Sequence, residues 1–281
     1  PVISAVIAER FPANKGQMLG QYASATLIGR TLAPLAGGLI LSYFVFYPGL
    51  IEYRMVYVVA ALAAVPVFIL TLLYHEDQSK PLDVIGFFVF KESFVTFFSN
   101  RHLRATALID MATYFAFGAF ETFLPLLLAS RSIGAGETGI IFAVQVLIIA
   151  GTKPLFGKLA DRIDKRIQIA AGILILGCSV AVIPLMHTFG EFLAVSSILG
   201  FGMSLSTIAT SAYVAEVSKK EHVGASMGAL LATMDIGHAG GPLITGIIIT
   251  VMGYAAGFFT SFILAILVAV IFAVSVRDTA K

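Results

Sequence analysis

Apolar blocks of roughly 20 residues recur along almost the whole chain, and that recurrence leaves few folds open. A helix of this length crosses about 30 Å of hydrocarbon at about 1.5 Å per residue. Complete spans are read at 17–46, 52–74, 103–130, 137–157, 167–187, 190–214, 223–251 and 254–276 of the 281 residues. The expected class is an all-α, multi-pass membrane protein that needs no soluble core. Composition agrees, with 58% hydrophobic residues, 12% charged and a mean hydropathy of +0.95. A soluble domain carries about 25% charged residues. The chain opens in mid-hydrophobic sequence (Pro1 to Ala8), where the tail of a further span is expected. Its single cysteine, Cys178, can form no internal disulfide and is read as packing.

Connections between spans are short except from His75 to His102. There Phe87, Phe90, Phe94, Phe97 and Phe98 recur at three- and four-residue intervals among charged residues. That is the pattern of an amphipathic helix in the interface plane, serving as a linker between bundles or sensing lipid. Orientation follows from the cations. If the turn at Glu9–Lys15 is cytoplasmic, so are His75–His102, Lys158–Arg166, Glu216–His222 and the C-terminus. These segments hold nearly all the Lys and Arg of the loops, and the opposite loops hold only Arg54 and Arg131.

The chain also contains a repeat. Shifted by 208 residues, Gly16, Gly20, Gly29, Pro34 and Gly38 fall on Gly224, Gly228, Gly237, Pro242 and Gly246. Just upstream, with a one-residue slip, Ser4–Glu9 matches Ser211–Glu216. Six spans separate the copies, so each half holds about six, and the opening partial span is fourth in its half. Roughly three and a half spans are therefore expected ahead of Pro1.

Two motifs give the repeat a family likeness. The loop Gly157-Lys158-Leu159-Ala160-Asp161-Arg162-Ile163-Asp164-Lys165-Arg166 resembles the signature between second and third spans of a half in the major facilitator superfamily. Asp164 stands where that family usually has Gly. A carboxylate and several cations at a helix end can pair in one conformation and part in another, so Gly157, Asp161, Arg162, Lys165 and Arg166 are read as a conformational lock. Basic residues serving topology alone remain the simpler reading. Gly20, Gly29, Ala33, Pro34, Gly37 and Gly38 resemble the antiporter motif of drug:proton exporters, with Ala33 replacing one Gly. The second copy, Gly228, Gly237, Gly241, Pro242 and Gly246, keeps the Gly-Pro pair. At about 100° per residue, Gly224, Gly228, Asp235, Pro242 and Gly246 share a face, which would suit a close, bent joint between halves. A generic tight helix contact is the alternative.

The resemblance implies a major facilitator fold of roughly twelve spans. The second half of six helices is complete and the first lacks about three and a half. Residues 1–74 would be the end of the first bundle, 75–102 a cytoplasmic central loop, and 103–281 the second bundle.

Arg30, Asp110, Glu121, Lys153, Asp235 and His238 lie within spans. A charge at mid-helix costs about 2.5–3.5 kcal/mol on insertion scales, so most should face the bundle interior or each other. Asp110 and Glu121 lie about 20° apart around one helix, in a stripe completed by Thr113, Tyr114 and Phe117. The resemblance places that stripe on the substrate path. Glu121 or Asp235 is the expected proton carrier, or each is a paired structural charge. His238 lies three residues from Asp235 and could titrate with it. Asp110, near Arg101 and Arg104, reads as an interfacial ion pair as well as a proton-coupling candidate. Arg30 aligns with His238 in the repeat and either contacts substrate or serves carbonyls freed by Pro34. Lys153 can snorkel toward the cytoplasm. Ser204 and Thr207 can bind a polar solute or bond back to the backbone.

The function expected is a secondary active transporter in the plasma (inner) membrane of a prokaryote, working by alternating access. Proton-coupled efflux of a small amphipathic compound leads. A symporter or uniporter for a metabolite, and a transport-silent receptor or scaffold, are the alternatives. No catalytic triad, metal-ligand cluster, phosphate loop or nucleic-acid signature is present, so no enzyme, cofactor, metal or nucleic-acid partner is expected. The protein should act as a monomer in the lipid bilayer, with protons as its coupling ion.

Overall fold

The computed structural model describes residues 15–44, 51–73, 95–218 and 222–276. They form helices α1 (Lys15–Phe44), α2 (Ile51–Leu73), α3 (Arg101–Ser130), α4 (Ala135–Ala160), α5 (Lys165–Val182), α6 (Phe189–Val217) and α7 (Val223–Val276). No strand occurs among the described residues. Six helices, α2 to α7, are long and apolar enough to cross a membrane, and the apolar part of α1 adds Ile28–Phe44. The expected spans match these helices to within a few residues.

Helix α7 is 54 residues long. A straight helix of that length would reach about 80 Å, well over twice the hydrocarbon thickness. It breaks at Gly253, whose φ of 86° suits a residue without Cβ. Beyond the break the chain folds back, because a Cβ on Gly257 would strike Ile249 and Thr245. The helix is thus a hairpin of two spans, which completes six spans from α3 onward.

Local chemistry explains the helix starts. The Asn100 side chain accepts from the backbone N–H groups of His102 and Leu103 at 2.9 and 3.4 Å. Thr188 and Glu191 cap α6 reciprocally: Thr188 Oγ1 accepts from Glu191 N at 3.4 Å, and Glu191 accepts from Thr188 N at 3.0 Å. Asp164 caps α5, accepting from Arg166 N at 2.9 Å. The carboxylate that departs from the family signature therefore supplies a helix cap, which Gly could not do through a side chain.

Helices α3 to α7 form one bundle. α3 packs on α7, α6 packs on α4 and α5, and α5 also meets α7. One apolar cluster, around Phe120, Leu124, Ile141, Leu176, Phe192 and Phe258, fills the end bearing the 131–134 loop. A second, around Ile109, Ile169, Ile173, Tyr213 and Phe272, fills the basic end bearing the 161–164 loop. Two polar side chains tie the helices together. Gln168 on α5, 2% exposed, donates to Phe156 O at 3.1 Å and Leu205 O at 3.3 Å, on α4 and α6. Arg131 after α3 donates to Pro184 O and Met186 O, both at 3.0 Å.

Of the expected amphipathic segment, residues 75–94 lie outside the described residues. Its described end, 95–99, is helical. Phe97 is 1% exposed and packs against Leu103, Ala107, Val214 and Leu230. That ring belongs to the bundle core, not to a lipid-facing plane. The opening span lies outside the described residues too.

Helices α1 and α2 stand beside this bundle. α1 leans on α4, whereas the apolar window of α2 buries none of its residues inside the protein. The backbones of α1 and α4 come closest where both carry small residues. A Cβ on Gly38 would lie 2.6 Å from Ala135 O, and one on Gly139 would lie 2.5 Å from Pro34 O. Gly29 and Gly37 of α1 and Gly151 and Gly157 of α4 have nothing within 4 Å of a Cβ among the described residues. Small residues let two helix backbones touch in this way.

Candidate functional site

The in-membrane charges do not gather as the helical wheel suggests. Asp110 is 4% exposed, and Thr210 Oγ1 on α6 donates to it at 3.3 Å. It forms no ion pair with Arg104, which instead donates to Phe98 O at 3.2 Å. The expected interfacial pair is thus replaced by a buried carboxylate bonded to a hydroxyl. One turn along, Thr113 Oγ1 meets Ser206 Oγ at 3.3 Å, so this part of α3 faces α6.

Glu121 faces a different helix. Its Oε2 lies 2.8 Å from His238 Nε2 on α7, with the two side chains 34% and 46% exposed. The partner of His238 is therefore Glu121 and not Asp235, its neighbour on the same helix. A separation of three residues places two side chains near each other on a helix surface, but α3 lies against His238 and captures its ring. Asp235 is exposed and has no ion pair among the described residues.

Aromatic rings fix the histidine. Phe117 stacks on it with centroids 6.0 Å apart, and Tyr114 meets it edge-on at 6.5 Å. Gly118 lets the backbone of His238 approach, since a Cβ there would strike its carbonyl. The charged groups of Arg30, Asp110, Glu121 and Asp235 all lie within electrostatic range of the Tyr114 hydroxyl. Tyr114 thus sits where α1, α3 and α7 direct their charges. This arrangement offers a hydrogen-bonded acid–base pair beside aromatic surface, a combination able to exchange a proton and to hold an amphipathic solute.

The hydroxyls of α6 are engaged within the bundle. Ser204 Oγ donates to Ile149 O at 3.3 Å and Thr207 Oγ1 to Met203 O at 2.9 Å. Both residues are buried.

The two glycine motifs do different things. Gly237 and Gly241 accept the close approach of Met111 O and Phe115 O of α3, and Gly246 faces the Phe123 ring. The second copy is therefore a contact inside one bundle, whereas a joint between halves was expected. On the face expected from the 100° count, Gly246 meets Phe123, while Gly224 and Gly228 have nothing within 4 Å of a Cβ among the described residues. In the first copy Pro34 and Gly38 do meet the other bundle, through Gly139 and Ala135 of α4. Gly29 and Gly37 remain open, and Gly20 lies farther along α1. Gly136 and Gly139, which complete that joint, carried a small-residue spacing that the sequence reading did not use.

At the basic end, Lys165 pairs with Glu216 of α6 at 2.8 Å. Arg166 donates to Val276 O at 3.1 Å, lies 3.9 Å from Asp164, and sits over the Tyr213 ring at 5.9 Å. The residues after α4 thus hold the ends of α6 and α7. Among the described residues Asp161 and Arg162 form no ion pair. Glu216 was legible as a charge at a helix end, but not as the partner of Lys165. No group of three or more metal-ligating side chains occurs among the described residues.

Comparison with known proteins follows the same lines. The family model described as Major Facilitator Superfamily matches residues 1–134 and 106–281. An uncharacterized MFS-type transporter of Methanocaldococcus jannaschii is 23% identical over 280 residues, covering 96% of this chain and 69% of that protein. Multidrug resistance protein MdtG of Escherichia fergusonii is 24% identical over 263 residues, covering 92% and 63%. This chain therefore spans about two thirds of the length of these relatives. Among solved structures, a bacterial homolog of the human lysosomal transporter Spinster, inward-facing and unoccupied, matches with a TM-score of 0.71 at 18% identity. That match covers 95% of this chain and 71% of the other.

Proposed function

The chain belongs to the Major Facilitator Superfamily, and on that premise we propose that it is a secondary active transporter exporting a small amphipathic compound in exchange for protons. The Glu121–His238 pair carries this reading. It joins two helices, keeps partial access to solvent, and lies against the aromatic rings of Tyr114 and Phe117. A proton gained or lost by the pair changes the charge the two side chains share across the contact. The contact between α3 and α7 thereby becomes sensitive to protonation, which is what coupling requires. Asp235, exposed near the same tyrosine, is the second carboxylate of this neighbourhood.

The α1–α4 joint supplies the alternation. The backbones of α1 and α4 touch at Gly38 and Gly139, where the first bundle meets the second. The basic face is the cytoplasmic one, as the distribution of cations favours. The Lys165–Glu216 pair and the Arg166 contacts brace the ends of α5, α6 and α7 on that face. The membrane is the plasma membrane of a prokaryote, and the working unit is a single copy. Similarity to a protein named for multidrug resistance supports the outward direction.

The test is flux through the full-length carrier in proteoliposomes, with and without an imposed pH gradient. Substrate movement opposite to the proton gradient, lost in Glu121→Gln, supports the reading. Flux indifferent to the gradient would sink it.

A further inference from the structure

We propose that Asp110 is a second proton-binding site, a neutral acid in this conformation that releases its proton to the cytoplasmic side when α3 and α6 part; this rests on the transporter reading above. Helix α3 is held in two different ways. Against α7 it is fixed by backbone approach at Gly118, Gly237 and Gly241. Against α6 it is joined by side chains: Tyr213 Oη to His102 Nδ1, Thr210 Oγ1 to Asp110 Oδ1 and Thr113 Oγ1 to Ser206 Oγ, each at 3.3 Å. These contacts run inward from the basic end as a polar seam, with Asp110 in its middle.

The protons of the seam can be counted, because a hydroxyl has one to donate. Thr113 Oγ1 donates its own to Ile109 O at 2.9 Å, so Ser206 supplies the one between them. Thr210 Oγ1 lies 3.0 Å from Thr207 O as well as 3.3 Å from Asp110 Oδ1. Both of those contacts are made at once only when Asp110 brings a proton and donates it to Thr210 Oγ1. An ionised Asp110 would instead have one neutral donor in a site 4% exposed, where an unpaired charge is costly.

No cation offsets such a charge, for Asp110 forms no ion pair among the described residues. Arg101 stands at the start of α3, Arg104 donates to Phe98 O, and His102 is engaged by Tyr213 of α6. From α5, Lys165 pairs with Glu216 and Arg166 sits over the Tyr213 ring. From α7, His238 is held by Glu121, and Asp235 is exposed. Tyr114 stands one turn farther along α3.

Parting of the seam would let water reach Asp110 from the basic end. The carboxyl O–H bond then breaks, the proton passes to cytoplasmic water, and the carboxylate is left hydrated. Closing the seam again requires a proton to be taken back. The closed and parted states thus favour different protonation states, and that difference is what links a proton to a movement. Glu121 lies farther from the basic end on the same helix, so the two acidic sites are set at different depths.

The experiment records infrared spectra of the full-length carrier in phosphatidylcholine nanodiscs at about pH 7, where an ordinary aspartate is ionised. A carbonyl band of a neutral carboxylic acid is expected. Asp110→Asn should remove it and Glu121→Gln should keep it. Thr210→Val should keep the band but move it to higher wavenumber, because the acid loses its hydrogen-bond acceptor. In proteoliposomes, Asp110→Asn, fixed in the neutral form, should lower proton-driven flux at least about tenfold, with thermal unfolding confirming that the variant folds. Absence of the band, a band that survives Asp110→Asn, or one unmoved by Thr210→Val overturns the proposal. So does proton-driven flux that Asp110→Asn leaves intact. Failure of the transport reading is distinguishable. The expected bands, with flux that ignores the pH gradient, retain the buried acid and remove proton coupling. Proton-driven flux without an Asp110 band does the reverse.

Discussion

His238 Nε2 lies 2.8 Å from Glu121 Oε2, joining two helices whose sequence positions differ by 117 residues. Phe117 and Tyr114 hold the imidazole, and Gly118 lets its backbone come close. A geometry fixed from three directions makes the pair a defined link between α3 and α7.

Glu121→Gln keeps the side chain's size and a hydrogen bond to His238 but removes the charge. Proton-driven flux in proteoliposomes is expected to fall at least about 100-fold, on the scale of removing a specific charged partner. Exchange of substrate down its own gradient should persist. Loss of both activities would point to a structural role.

Residues Ser42 and Gly136 report the joint between bundles. A Cβ on Gly136 would lie 3.7 Å from Ser42 Cβ, within the usual disulfide range of about 3.5–4.5 Å. With Cys178 replaced by Ala, the Ser42→Cys/Gly136→Cys protein should cross-link under mild oxidation. Cross-linking should stop flux, and reductant should restore it. Full flux in the oxidised, cross-linked protein would show that this joint does not open during transport.

Gly241 and Gly228 occupy one motif but should respond oppositely. Gly241→Val drives a side chain into Phe115 O and should destabilise by about 1–3 kcal/mol or more. Gly228→Ala meets open space and removes a helix-weakening glycine, a gain of up to about 1 kcal/mol. Thermal unfolding of the purified variants compares them directly.

Gln145 on α4 is 1% exposed, and neither its Nε2 nor its Oε1 has a hydrogen-bond partner among the described residues. It lies against Gly200, whose Cβ would meet Gln145 Cγ at 3.1 Å. Gln145→Leu is expected to raise stability by about 1–3 kcal/mol, the cost of leaving buried polar groups unpaired. A fall in thermal stability would indicate that the amide does find a partner in the working protein.

Hydropathy alone determined the spans, because each block is as long as the bilayer is thick and nothing else in such a chain competes for that length. The repeat and the Asp161–Arg166 motif were legible too, since both are fixed by spacing along one strand of sequence. Even the hairpin at Gly253 fell between two expected spans. What the sequence could not specify was which face of each helix meets which neighbour. In water an apolar stripe marks the buried side, but helices such as α4 and α6 are apolar nearly all round, so periodicity gives no azimuth. Only the packed bundle decided that His238 takes Glu121 instead of Asp235, that Asp110 turns to Thr210, and that Gly237 and Gly241 tighten one bundle while Gly38 touches the other. The determining forces there are close backbone contact and polar pairing between helices distant in sequence, and these exist only once the helices have been placed side by side.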